Sequence, residues 1–330
     1  MNILLTGGTG YIASHTAVVL SDAGHRVVLL DNLCNSQPDV VDRIASLVGY
    51  TPVFVKADIR DTDRLTEVLQ SNDIQAVIHF AGLKAVGESV ASPLLYYNNN
   101  VCGTVSLLEA MQRANVKTLV FSSSATVYGI PQYLPIDESH PTSATNPYGR
   151  TKLHIEHMLA ELAHADPSWK IASLRYFNPA GAHESGLIGE NPSGIPNNLM
   201  PFIVRVACAK LPVLQVFGDD YDTPDGTGVR DYIHVMDLAE GHLAALQHLN
   251  RSAVSFDTFN LGTGSGYSVL QMVTSFEGVN GCKVPHQISG RRAGDIAQCY
   301  ASVDKARQQL GWIARRSLDD MCRSAWSYKG

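Results

Sequence analysis

In the first half of the chain the hydrophobic residues fall into short unbroken runs, at 3–5, 27–30, 53–55, 76–80, 119–121 and 171–174, with helix-like segments between them. The runs are continuous rather than alternating and rich in Val, Ile and Leu, the pattern of strands buried on both faces. Such strands belong to a parallel sheet covered by helices, so the pattern predicts an α/β, doubly wound fold. From about residue 177 the texture changes. The stretch 177–201 is dense in Gly, Asn and Pro and reads as ordered loop, and a second, smaller α/β region follows. Within it, 229–235 reads as another strand, with a helix from Asp237, a unit able to return to the first domain. The expected division is a first domain over 1–176, joined by returning segments near 229–261, and a second over 177–330.

Composition narrows the function classes. A chain of 330 residues is long enough to bury a sizeable core, and 45% hydrophobic with 17% charged residues is a globular balance. The 25 Lys and Arg against 31 Asp and Glu give a net charge of -6 with no run of one sign. That argues against a nucleic-acid or anionic-membrane partner. No apolar stretch approaches a membrane span. The opening MNILLTGGTGYIASH lacks the basic segment of a secretory signal. The 6 Cys show no C-x-x-C spacing and suggest reduced thiols in a cytoplasmic protein.

The first run leads straight into Thr6-Gly7-Gly8-Thr9-Gly10-Tyr11-Ile12-Ala13. Gly7 and Gly10 permit a tight turn and close backbone approach, and the helix that follows aims its N-terminus at a diphosphate. Asp31 ends the second run, where a carboxylate binds both ribose hydroxyls and repels a 2′-phosphate, which favours NAD over NADP. Alone, the glycine cluster is a weak signal that an ordinary strand-to-helix turn also explains, and a turn or cap residue is the lesser alternative for Asp31. Asp58, after the third run, is placed to accept from an adenine amino group or to cap a helix. The segment 80–84 follows the fourth run at the sheet edge where ligands bind in open α/β folds.

Asn146 and Pro147 open a helix as cap and first residue. Tyr148 and Lys152 then lie four apart on one face. A free phenol, with a pKa of about 10, is a poor base at neutral pH. A neighbouring ammonium stabilises the phenolate, which is the reason to want Lys one turn after Tyr. Upstream, Ser122, Ser123 and Ser124 leave the fifth run, and nothing in composition says which hydroxyl matters. His154 and His157 sit three apart further along the helix, but no acid or Cys completes a metal site, so no metal is expected.

Together the Gly7-x-x-Gly10-x-x-Ala13 turn, Ser124 and Tyr148-x-x-x-Lys152 resemble the extended short-chain dehydrogenase/reductase family. The runs 31–36, 79–89, 175–179, 197–201 and 226–234 extend the resemblance over nearly the whole chain. They are similar to the branch of that family whose members invert C4 of UDP-linked hexoses. The resemblance implies a Rossmann-like doubly wound sheet with a smaller C-terminal α/β substrate domain, a tightly bound NAD, and UDP-glucose and UDP-galactose as substrates. It implies that Tyr148 is the base, that Lys152 lowers its pKa and holds the nicotinamide ribose, and that Ser124 bridges the base to the 4-hydroxyl. NAD contacts are implied for Gly7, Gly10, Tyr11, Ile12, Asp31, Asn32, Leu33, Cys34, Asn35, Ser36, Asp58, Ile59, Phe80, Ala81, Gly82, Leu83, Lys84, Asn99 and Phe177, besides Tyr148 and Lys152. Sugar-nucleotide contacts are implied for Ser124, Thr126, Tyr148, Asn178, Asn198, Leu199, Arg230, Arg292, Asp295 and Cys299. Arg230 and Arg292 offer planar donors to phosphates, and Asp295 takes a ribose hydroxyl. Family members carry a bulky Tyr where this chain has Cys299, so UDP-GlcNAc and UDP-GalNAc are further expected substrates. A buried Cys packing as a small hydrophobe fits the position equally.

The nearest rival is a sister nucleotide-sugar enzyme, a 4,6-dehydratase or a decarboxylase. A dehydratase of this family carries an Asp-Glu pair just after the strand-end Ser or Thr, and here that slot is Ala125-Thr126. A non-catalytic NAD-binding sensor is the other alternative, and an intact Ser124, Tyr148 and Lys152 argues against it. The resemblance also implies a homodimer, paired through 98–113 and the helix from Pro147. The apolar faces there, Val101, Val105 and Leu108 with Leu153 and Met158, suit core packing as well.

Overall fold

Each apolar run becomes a strand, and in all but the third the alternate side chains enter opposite cores. Ile3, Leu5, Val27, Leu29, Ile78, Val120 and Leu174 pack in one cluster, while Leu4, Val28, Leu30, Val77, Leu119, Phe121 and Ile171 pack in another. That is the period-two geometry of a sheet covered on both faces. The computed structural model describes residues 1–191, 196, 198–292 and 294–328. Asn197, part of the 197–201 motif, lies outside the described residues.

The strands are β1 (Asn2–Thr6), β2 (Arg26–Asp31), β3 (Val53–Lys56), β4 (Ala76–His79), β5 (Thr118–Ser124), β6 (Lys170–Tyr176), β7 (Asn178–Ala180), β8 (Leu214–Phe217), β9 (Val229–Arg230), β10 (Tyr232–His234), β11 (Phe256–Leu261), β12 (Tyr267–Ser268), β13 (His286–Ser289) and β14 (Gln298–Cys299). The α-helices are α1 (Tyr11–Asp22), α2 (Val40–Val48), α3 (Thr62–Ser71), α4 (Val86–Ala91), α5 (Pro93–Tyr96), α6 (Gly103–Arg113), α7 (Pro147–Ala165), α8 (Leu199–Ala207), α9 (Val235–Arg251), α10 (Val269–Asn280) and α11 (Leu318–Ser327), with π-helix at Tyr97–Cys102.

The main sheet has seven strands in the order β11-β6-β5-β4-β1-β2-β3, all parallel. Strand order reverses between β1 and β4, so the crevice for a ligand opens there, beyond the C-terminal ends of the strands. Helices α1 and α9 fill the first cluster, with Ala17, Leu20, Leu238 and Leu246. Helices α3, α6 and α7 fill the second, with Leu65, Met111 and Leu159. A third core joins α8, α10 and α11 around β8 through Ile203, Val216, Met272, Phe276 and Met321.

Two expectations need correction. Not every early strand is buried on both faces: β3 is the sheet edge, and Val53 is 50% exposed. The single strand expected at 229–235 is two. Its break is Asp231, whose carboxylate accepts from Thr263 N and Oγ1 (2.8 and 2.6 Å), Gly264 N (3.0 Å) and Ala301 N (3.2 Å). On either side, β9 pairs with β12 and β14 while β10 pairs with β7. The element that returns to the main sheet is β11, preceded by α9.

Candidate active site

The crevice begins with the glycine turn after β1. Gly7 adopts φ 66°, and a Cβ there would sit 2.9 Å from Ala81 N. Gly10 N donates to Gly7 O at 2.9 Å and opens α1, whose first turn has no acidic side chain and no side-chain cap. The free N–H groups of that helix end suit an anion, so the turn fits the diphosphate of NAD. Asp31 lies buried beside it. Its Oδ1 accepts from Leu33 N (2.8 Å) and Ser36 Oγ (3.1 Å), and its Oδ2 accepts from Thr9 N (3.2 Å). The carboxylate thereby folds 32–36 against the turn, with Leu33 at φ 61°. Asn32 donates to Asp58 at 3.1 Å. The Arg60 guanidinium and backbone N–H hold the Asp58 carboxyl far below the usual range. Cys34 and Asn35 are exposed on the outer side of this loop.

Not every expected cofactor residue offers a side chain to the crevice. Ile59 and Phe177 are 4% exposed and committed to core packing, Ile59 against Gly103. Tyr11 donates to Gly181 O at 2.6 Å, across to the loop after β7. Ile12 packs against the first core. Phe80 stacks on His242 with ring centroids 4.8 Å apart. Lys84 reaches Glu190 at 3.2 Å.

The segment Ala81-Gly82-Leu83 is fastened by Asn100, a residue the sequence reading passes over in favour of its neighbour Asn99. Asn100 is 1% exposed; its Oδ1 accepts from Leu83 N (2.8 Å), and its Nδ2 donates to Leu83 O (3.0 Å) and Thr151 Oγ1 (3.1 Å). It ties the cofactor-side loop to α7. As the last of three consecutive Asn, it carries no local signal that sets it apart from its neighbours. Asn99 is half-buried on the π-helical turn.

Helix α7 delivers the reactive pair. Asn146 caps it by accepting from Gly149 N at 2.9 Å, and Pro147 fills the first turn. Gly149 has no room for a side chain, since a Cβ would lie 2.9 Å from Thr126 O. This close approach seats Tyr148 against the end of β5. Burial raises the phenol of Tyr148 above its ordinary pKa, and a hydrogen bond from Ser124 opposes the rise. Ser124 Oγ in turn accepts from Thr126 N (3.2 Å) and Thr126 Oγ1 (2.9 Å). Lys152 is buried, donates to Ser122 O at 2.6 Å and lies 4.9 Å from the Phe121 ring centre. Burial lowers its ammonium to about 8, while Glu156 acts to raise it. His154 and His157 point outward, exposed.

A cavity of about 430 Å³ opens in the second half of the chain, and Ser124, Thr126, Tyr148, Lys152 and Cys299 are not among the residues that line it. Asn178, Asn198, Leu199, Arg230, Arg292 and Asp295 all line it. So do Phe217 and Tyr221, which sequence reasoning missed although an aromatic ending an apolar run was a usable cue. Arg292 lies 5.4 Å from the Phe217 ring centre and pairs with Asp295 at 3.0 Å. Arg291 turns instead to Asp220 (2.7 Å) and Tyr221. Cys299 pairs in register with Arg230 and packs in a cluster with Ala125, Leu153 and Phe177, between the cavity and the Ser124 turn.

A family model described as GDP-mannose 4,6 dehydratase matches residues 4–325. That match and the parallel sheet define the class: an extended short-chain dehydrogenase/reductase enzyme. A UDP-glucose 4-epimerase from Bacillus subtilis (strain 168) is 56% identical over 329 residues, covering 100% of this chain and 97% of the relative. One from Mus musculus is 53% identical over 334 residues, covering 99% and 96%. The crystal structure of UDP-glucose-4-epimerase from Stenotrophomonas maltophila with bound NAD and formylated UDP-arabinopyranose superposes with TM-score 0.98 at 54% identity, covering 100% and 98%. That from Bifidobacterium longum in complex with NAD+ and UDP gives TM-score 0.96 at 51% identity, with the same coverage. The chain belongs to the UDP-glucose 4-epimerase family.

Proposed function

We propose that the chain interconverts UDP-glucose and UDP-galactose by inverting C4 through a 4-keto sugar, as an isomerase with resident NAD. The observation that carries this is the half-buried Tyr148 seated by Gly149 against the end of β5, with the buried Lys152 one turn further along the helix and donating to Ser122 O of the same strand. Bound NAD accepts the C4 hydride and gives it back. Tyr148 takes the proton from the 4-hydroxyl and later returns it, and Ser124 aligns the two oxygens. Lys152 stabilises the phenolate with its ammonium and holds the nicotinamide ribose. Arg230 and Arg292 grip the diphosphate, Asp295 takes a ribose hydroxyl, and Asn178, Asn198 and Leu199 line the path of the sugar. The sugar ring swings about the diphosphate between the two half-reactions and presents its opposite face to the same base. The remaining cofactor contacts follow the segments 7–12, 31–36, 58–59 and 80–84, with Asn99 and Phe177. No second electron acceptor is needed, since the chemistry is redox-neutral overall. The turn after Ser124, Ala125–Val127, carries no carboxylate, which speaks against dehydration.

The same reading extends to the N-acetylated pair, UDP-GlcNAc and UDP-GalNAc, because Cys299 leaves room that a Tyr ring fills. It extends to a homodimer, supported by exposed Val90 (64%), Leu94 (82%) and Leu95 (47%) on α4 and α5, beside α6 and α7. It divides the chain into an NAD domain over 1–176, completed by segments near 229–261, and a UDP-sugar domain over 177–330. It places the protein in the cytoplasm. Among the described residues, no helix is long and apolar enough to cross a membrane.

A proton NMR time course with UDP-galactose and no added nucleotide tests the reading. UDP-glucose appears with the wild type, and Tyr148→Phe lowers kcat by about 10²–10⁴-fold while keeping the wild-type Tm. No conversion even after NAD is added, or wild-type turnover in Tyr148→Phe, overturns it.

A further inference from the structure

Three consecutive residues at the end of β5 are fastened to three residues spaced one turn apart on α7. Ser122 O accepts from Lys152 Nζ at 2.6 Å, Ser123 Oγ donates to Glu156 Oε1 at 2.5 Å, and Ser124 faces Tyr148, whose phenol pKa it acts to lower. Two of these ties hold groups already given a role. The third ends in Glu156, a carboxylate 4% exposed. Its Oε1 also accepts from Ser173 Oγ (3.1 Å) and Arg175 Nε (3.0 Å), and its Oε2 accepts from Arg175 Nη2 (2.6 Å). Arg175 donates from its remaining nitrogen, Nη1, to Tyr128 OH (2.9 Å), which donates to Asn260 (2.7 Å). Removing a buried ion pair in favour of apolar residues is often neutral or stabilising. Stability alone is therefore a weak reason for this one to stand a single turn from Lys152.

We propose that Glu156 is a positioning residue for the reaction: it locks the Ser122–Ser124 strand end to α7 and supplies the negative charge that keeps Lys152 an ammonium beside Tyr148, with Arg175 as its counterweight. This rests on the reading of Tyr148 as the base and Lys152 as its partner. Among the described residues, the groups facing Lys152 leave Glu156 as its anion. His79 on β4 is held neutral by burial, with its pKa lowered to about 3. From β5 come only the Ser122 carbonyl and the Phe121 ring, and from β6 Tyr176, whose phenol burial keeps protonated. Glu88 on α4 is hydrogen-bonded by Tyr96 of α5. Tyr97 of the π-helix stacks on His154, on the outer face of α7. Lys305 pairs with Asp257 of β11, and Glu138 accepts from Asn260 N, both beyond Arg175.

The test reads the ionisation of Lys152 by carbon NMR of protein labelled at the lysine ε-carbon, the signal being assigned by its loss in Lys152→Met. Glu156→Gln removes the attraction and leaves Arg175 repelling, so the titration midpoint falls by about one pH unit or more. Arg175→Met leaves Glu156 unbalanced, so the midpoint rises. Both variants lose Tm, but a merely structural role moves the midpoint in neither, or in the same direction in both. If a single variant does not fold, Glu156→Gln with Arg175→Met, which strands no charge, still lowers the midpoint, because Glu156 is the partner next to Lys152. Equal or unshifted midpoints overturn the proposal. Wild-type turnover in Tyr148→Phe refutes the base assignment instead, and the two failures are separate.

Discussion

Cys299 shows how far one side chain reaches. Its thiol is half-buried, and burial pushes its pKa up to about 11, so it stays a neutral, compact group. It packs in a cluster with Val127, Tyr128, Ile136 and Phe177, one strand from Arg230. The structure shows it filling core space, and under the proposed function the same small side chain sets how much room the sugar has. Cys299→Tyr is expected to keep UDP-galactose turnover within about tenfold and to lose UDP-GalNAc turnover by about 10²-fold or more, as a filled pocket excludes a larger group. Coupled assays on both sugar pairs decide the matter, and equal exclusion of the acetylated pair by wild type and variant sinks the idea. The same scale explains why Asn100 was harder to see than Asn99. Its value lies in two bonds to Leu83, 17 residues away in sequence, which no local pattern contains.

At the scale of elements, what was legible is what depends on local burial. The runs around Leu4, Val28, Ile78, Val120 and Ala172 became central strands because every residue in them meets a core on one side or the other. So did the opening of α7, since Asn146 and Pro147 carry their capping chemistry with them. Strand β11 escaped the apolar criterion because Asp257, Thr258 and Asn260 interrupt it. Their polarity is satisfied by distant partners, the Asn260 side chain by Tyr128 OH and Ile136 O, and Asp257 by Lys305. The split between β9 and β10 has the same cause, since Asp231 is bonded by residues 32, 33 and 70 positions downstream. The candidate site followed this rule. The glycine turn, Asp31, Tyr148 and Lys152 announce themselves within a turn or a strand, whereas Phe217 and Tyr221 become a cavity wall only through long-range pairing of β8 with β13.

The whole molecule buries an unusual set of imidazoles at its seams. His15, His79, His234 and His242 all lie within the fold, and burial lowers their pKa to about 4, 3, 3 and 4. Each ring is neutral in the folded chain yet takes a proton below about pH 6.5 once unfolded. The unfolded state therefore binds more protons, and stability falls as pH drops from 6.5 towards 4. Tm measured across that range is expected to fall steeply, on the order of 5 °C or more per pH unit, before the bulk of the carboxylates titrate. A flat Tm down to pH 4.5 contradicts neutral burial of these rings. The proposed epimerisation requires that one base in one crevice serve both faces of a sugar that never leaves. The most direct test follows a deuterium label at C4 of UDP-galactose, mixed with unlabelled substrate carrying a heavy uridine. The expected product is UDP-glucose with the deuterium still at C4 and no label on the heavy-uridine product. Label lost to water, or found on the heavy-uridine product, contradicts it.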